Sequence, residues 1–151
     1  MKAISTRAGG LRQLVTIRQH HLHADEPADK GGEDSAPSPQ ELLAASLASC
    51  TAITMEMYAE RKGWDVGDVE VACDYTPAER GAPTRFQLLL RFPDSLTDEQ
   101  VERLTVIAAK CPVHRTLDGE VMFEERIERV GAGGAAQVGR GAGAPGARLA
   151  R

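Results

Sequence analysis

The chain has 151 residues, a formal charge of −4, 42% hydrophobic and 26% charged residues. That size and balance fit one domain with a real core, and an acidic chain offers no basic face to nucleic acid. No uncharged run reaches the length of a membrane span, the opening MKAISTRAGGLRQ has no apolar secretory core, and three cysteines without framework spacing suit a reducing cytoplasm.

Residues 1–10 read as a loose lead-in. Leu11 to Ile17 is strand-like, with Leu11, Val15 and Ile17 on one parity. A turn at Gln19 and His20 would bring His21 to Asp25 back as a second strand. Glu26 to Pro37 (EPADKGGEDSAP) is a polar loop, long enough to carry function.

Ser38 to Gly63 reads as one long helix of roughly 35 Å at 1.5 Å per residue. Ser38 is the N-cap, Pro39 suits the first helical position and Glu41 completes a capping box. Arg61 and Lys62 suit the last turn, and Gly63 the C′ position. Leu42 to Ile53 carries no charge on any face, which predicts a helix buried all round with Cys50 inside it. Trp64 is expected to anchor the helix end to a sheet, and Met55 and Met57 to pack.

Val69 to Tyr75 alternates, as does Arg85 to Phe92, with the turn-rich TPAERGAPT between them. The two runs predict an antiparallel hairpin with Val69, Val71, Cys73, Tyr75, Phe86, Leu88, Leu90 and Phe92 inward. Thr97 and Gln100 cap a second helix, in which Val101, Leu104, Ile107 and Ala108 recur at helical spacing. Cys111 continues that face, but Pro112 pushes it out of helical conformation and so re-aims it. Asp118-Gly119 is a turn, and Glu120 to Phe123 reads as a last strand. From Gly131 on, 14 of 21 residues are Gly or Ala, too little side chain to offset ordering entropy, so 131–151 reads as a disordered tail after a domain over 11–130.

Two cysteines thus stand on apolar helical faces, and Cys111 has His114 and Arg115 beside it in CPVHRT. On the residues alone each thiol reads first as a core residue. A cysteine pair near cations is also what peroxide chemistry needs. A thiolate attacks the peroxide, and a second thiol condenses with the sulfenic acid. Cys73 alternates with core residues and reads as structural. His20, His21, His23 and His114 invite a metal reading; His21 and His23 share a strand face, but no carboxylate or thiol stands at ligand spacing beside them.

The runs Pro39–Ala52 (PQELLAASLASCTA), Met57–Trp64 (MYAERKGW) and Cys111–Leu117 (CPVHRTL), with ADEP at Ala24 and GGED at Gly31, strongly resemble the OsmC/Ohr family over roughly Leu11 to Phe123. The resemblance implies an α+β fold, an intertwined homodimer with antiparallel sheets packed around long central helices. It implies a thiol peroxidase for organic hydroperoxides or hydrogen peroxide in oxidative or osmotic stress defence. Cys50 would be the peroxidatic thiol and Cys111 the resolving thiol, with an external dithiol such as a lipoyl group as reductant and no metal or bound cofactor. The organic-hydroperoxide branch has its catalytic Glu ten residues before the first cysteine; here that position is Gln40, and Glu41 is the nearest carboxylate. Arg12 is the first candidate for the activating cation, ahead of Arg18 and Arg115. The alternative from another class is a non-catalytic stress or small-molecule-binding protein that keeps the fold and its buried dimer cavity.

Overall fold

The helix expected after Ser38 forms over its full length. In the computed structural model, which describes residues 1–129, α1 runs Pro39–Lys62. Glu41 donates its N–H to the Ser38 hydroxyl at 3.3 Å, and Glu41 Oε2 accepts the Ser38 N–H at 2.6 Å and its hydroxyl at 2.8 Å. These reciprocal bonds satisfy donors that a helix start otherwise leaves unpaired. Gly63 ends the helix at φ 68°, a left-handed conformation that other residues adopt only with strain.

One stripe of α1 is buried: Ala44, Leu47, Thr51, Met55 and Ala59. The face beside it is not. Ile53 is 54% and Met57 56% exposed, and Leu43 is exposed as well. The expected burial on all faces is therefore not met within one chain, and Met57 does not pack as expected. β4, α2 and α3 pack against the helix and leave this second apolar face open. By length and a mean hydropathy of 1.3, α1 would also be apolar enough to cross a membrane; Met55 and Ala59 of its buried stripe belong to the core cluster.

Ahead of α1 lies a three-stranded antiparallel sheet in the order β1-β2-β3, from β1 (Ala3–Arg7), β2 (Gln13–Ile17) and β3 (His20–Ala24). Residues 3–7 are thus a strand, not a lead-in; β-branched Ile4 and Thr6 lie opposite Thr16 and Leu14. The β2–β3 turn falls at Arg18 and Gln19, one residue earlier than expected, with Arg18 at φ 56°. No residue of β1 or β2 is fully buried.

The loop from β3 to α1 is built on Asp25, which is buried. Its carboxylate accepts the N–H groups of Glu26, Glu33 and Ser35 and the Ser35 hydroxyl. Gly32 passes so close to Glu26 that an added β-carbon would lie 1.7 Å from its carbonyl oxygen.

After α1, β4 (Glu70–Thr76) and β5 (Arg85–Arg91) pair as the expected hairpin, with Cys73 opposite Leu88 and an outward Glu70–Arg91 ion pair. α2 (Asp98–Ala108) starts with the Thr97–Gln100 capping box. Met55, Ala59, Leu104, Ile107 and Ala108 form the core cluster, against which Trp64, Val71, Leu90 and Phe92 pack. Trp64 anchors the helix end as expected.

A short helix, α3 (Pro112–Leu117), then follows. The strand expected over Glu120–Phe123 does not form: these residues pair with no described strand, and Val121 is left exposed. Residues 122–129 form no helix or strand; they carry an Arg126–Glu128 ion pair at 2.9 Å and expose Met122, Phe123 and Ile127. The Gly/Ala-rich stretch read as a tail lies outside the described residues.

Candidate active site

Cys111 sits where two local rules meet. Pro112 forces it into extended backbone, φ −59° and ψ 137°, and that is the conformation of an N-cap. Its sulfur accepts the His114 N–H at 3.3 Å. Cys-Pro-Val-His thus repeats the geometry of Ser-Pro-Gln-Glu at the start of α1, with sulfur in place of oxygen. Sequence reading found the break at Cys111 but not the new helix, although the cap–Pro–x–x spacing was its signal.

Packing of α3 against α1 brings the Cys111 thiol, fully buried, to face that of Cys50, which is partly exposed. Both are free thiols. Helical rotation places Cys50 on the face that also carries Leu43, Ile53 and Met57, one residue from the buried stripe.

The surroundings of the two sulfurs differ. Burial pushes the Cys50 thiol up, the Val113 N–H draws it down, and neighbouring Cys111 adds to the rise. Burial also pushes Cys111 up. Against that stand the His114 N–H, the Cys50 thiol, the Thr51 hydroxyl and the Val113 N–H, which together hold Cys111 below the ordinary thiol value. Sequence reading missed Thr51 and both N–H groups. A polar side chain beside the thiol was visible in Cys50-Thr51; the backbone donors have no sequence signature apart from the cap.

None of these groups is a cation. The Arg12 side chain donates to the Ala8 carbonyl at 3.4 Å in the β1–β2 turn. Arg18 is an exposed turn residue, and Arg115 is exposed. Glu41 lies about 13 Å before Cys50 along α1 and about half a turn round it, and its carboxylate closes the capping box. The same Ser38 bonds hold that carboxyl below its usual range. Gln40 is exposed.

A cavity of ≈ 200 Å³ next to α3 is lined by Leu47, Phe86, Leu88, His114, Leu117 and Asp118. His114 Nδ1 is buried without a hydrogen-bond partner. Cys73 lies apart, on an open groove with Glu41, Ala44, Ala45 and Ala48, its thiol pushed up by burial and by Asp74. On β3, His21 bonds Thr16 across the hairpin at 3.1 Å, and His20 and His23 are exposed. Among the described residues, no three His, Cys, Asp or Glu side chains gather as metal ligands. Chemically, the site offers two facing thiols, backbone N–H donors that stabilise a sulfur anion, and a neighbouring apolar cavity.

A profile of the OsmC-like protein family matches residues 32–126. Among solved structures, one from Psychrobacter arcticus, described as an osmotic stress induced and detoxification response protein, is 26% identical with a TM-score of 0.67, covering 77% of this chain and 87% of that one. An organic hydroperoxide resistance protein from Legionella pneumophila is 22% identical with a TM-score of 0.59, over 79% and 90% of the two chains. The organic hydroperoxide resistance protein OhrB of Bacillus subtilis is 21% identical with a TM-score of 0.55, over 79% and 92%. The last two likenesses speak to the fold. No curated protein sequence matches the chain.

Proposed function

The chain belongs to the OsmC-like protein family, and from that premise we propose that it is a thiol peroxidase working through Cys50 and Cys111 in peroxide-stress defence. The observation that carries this reading is the facing of a partly exposed thiol and a buried one across α1 and α3. Cys50 thiolate attacks the peroxide, the O–O bond breaks, and sulfenic acid and alkoxide form. Cys111 then attacks the Cys50 sulfur, a disulfide forms and hydroxide leaves. A dithiol of lipoyl type reduces the disulfide.

The working unit in this reading is a cytoplasmic homodimer. The open face of α1 with Leu43, Ile53 and Met57 supports it, since apolar side chains at helical spacing are ordinarily covered. Glu41 and Arg12 enter as the candidate carboxylate and cation for Cys50. Peroxide consumption tests the reading. Cys50→Ser abolishes it, and Cys111→Ser leaves a protein that overoxidises at Cys50. Full consumption by Cys50→Ser would overturn the assignment.

A second reading, a non-catalytic stress or small-molecule-binding protein, is favoured by the Cys50 thiol itself, which is pushed up by burial with no cation among the groups that act on it. It predicts wild-type protein that leaves peroxide untouched.

A further inference from the structure

Tyr58 lies about 12 Å beyond Cys50 along α1 and about 80° round it. Its ring meets Trp64 nearly edge-on, with centroids 5.8 Å apart. Two cations stand by the same ring: Lys62 Nζ at 5.8 Å and the Arg103 guanidinium at 5.7 Å from its centroid. These side chains border a cavity of ≈ 440 Å³ where the end of α1 meets α2. That volume falls in the range of about 300–1,000 Å³ that small-molecule pockets occupy.

The hydrogen bonding around the cavity is one-sided. Glu99 precedes Arg103 by one helical turn on α2, the usual spacing for an ion pair. Arg103 instead donates its Nε–H to the Tyr58 hydroxyl oxygen at 2.9 Å. Among the described residues neither Arg103 nor Lys62 forms an ion pair, although the chain is acidic. The terminal nitrogens of Arg103 and the hydroxyl proton of Tyr58 likewise have no acceptor among the described residues. The Arg103 bond draws the Tyr58 phenol below its ordinary value, and the charges of Arg103, Lys62 and Lys110 act in the same sense. An acidified phenol is a stronger donor.

We propose that this cavity binds an aromatic monocarboxylate, with its carboxylate on Arg103, Lys62 and the Tyr58 hydroxyl and its ring against Trp64 and Val106. Two charged donors and a phenol O–H match the acceptor-only oxygens of a carboxylate. Trp64 is a fixed wall because it also packs against the core cluster. Glu99 and Glu102, which border the cavity as well, limit the charge that enters. They repel a second negative charge, so a phosphate ester is rejected where a carboxylate is held. The site goes beyond the peroxidase reading and uses none of its residues.

Trp64 is the only tryptophan in the chain, so its fluorescence reports on this cavity directly. The test titrates the full-length protein with phenylacetate, with uncharged phenylacetamide and with phenyl phosphate. A saturating change with phenylacetate is expected, with binding at least about tenfold weaker for the other two probes. Arg103→Gln, a change at an exposed position, weakens phenylacetate binding by about tenfold or more, and Tyr58→Phe weakens it several-fold. Glu99→Gln narrows the preference for phenylacetate over phenyl phosphate. A response to phenylacetate that never saturates overturns the proposal, as does equal affinity for phenylacetamide or undiminished binding in Arg103→Gln with an unchanged urea midpoint. Tighter binding of phenyl phosphate than of phenylacetate overturns the assignment to a monocarboxylate. No peroxide is present, so the outcome is independent of whether the protein turns peroxide over.

Discussion

Asp25 holds Ser35 twice, accepting its N–H at 3.1 Å and its hydroxyl at 2.8 Å through the same carboxylate oxygen. With the Glu26 and Glu33 N–H groups, these bonds fix the loop that delivers the chain to α1, and they hold the Asp25 carboxyl below its usual range.

Stability should therefore fall in acid. A carboxyl whose folded pKa is depressed contributes fully above its unfolded value of about 4, and that contribution is lost as pH falls through the lower folded value. Asp25 and Glu41 both act in this sense. Urea midpoints measured from pH 6 down to pH 3 should drop for the parent and drop less for Asp25→Asn, which starts lower at pH 6. Parallel curves would show that Asp25 is not a source of the acid sensitivity.

The cap of α1 is a second measurable contribution. Ser38→Ala removes the hydroxyl that receives the Glu41 N–H and should cost about 1 kcal/mol in urea unfolding. Glu41→Gln keeps a side-chain acceptor for the Ser38 N–H and should cost less. If Glu41→Gln instead stopped peroxide turnover with stability intact, the carboxylate would have a chemical role beyond the cap.

In the core, Leu104 is fully buried against Met55 and Ala59. Leu104→Ala should lose about 2–5 kcal/mol, the range for a buried leucine whose cavity does not collapse. Val106→Ala, one turn face away and exposed, should lose far less. Similar losses at the two sites would mean that α2 packs through a different face.

Much of this was legible because local rules decided it. Ser38, Pro39, Glu41 and Gly63 bound α1 to the residue, and alternation from Val69 and from Arg85 gave the β4–β5 hairpin. β1 was not legible, since five residues with two β-branched side chains acquire meaning only when β2 lies alongside. The Glu120–Phe123 error has the same origin: a short apolar run reads as a strand but says nothing of a partner strand. At the site, both cysteines could be named from sequence. That they face one another depends on α3, which turns on Cys111 serving as a cap. Arg12 and Glu41 were placed by analogy with the family, and within one chain both are engaged in local structure.

Cys73 stands outside the proposed Cys50–Cys111 pair. It lies on β4 opposite Leu88, away from the facing pair, with its thiol pushed up by burial. Cys73→Ser should leave peroxide consumption within about twofold of the parent, and loss of turnover would show that Cys73, not Cys111, resolves the sulfenic acid.

The most direct measurement is the intact mass of the full chain under non-reducing conditions after one equivalent of cumene hydroperoxide, with free thiols counted and the disulfide mapped. Loss of two thiols, a Cys50–Cys111 disulfide and a free Cys73 are the predicted result. Three free thiols with the peroxide unconsumed would contradict it and return both cysteines to the core.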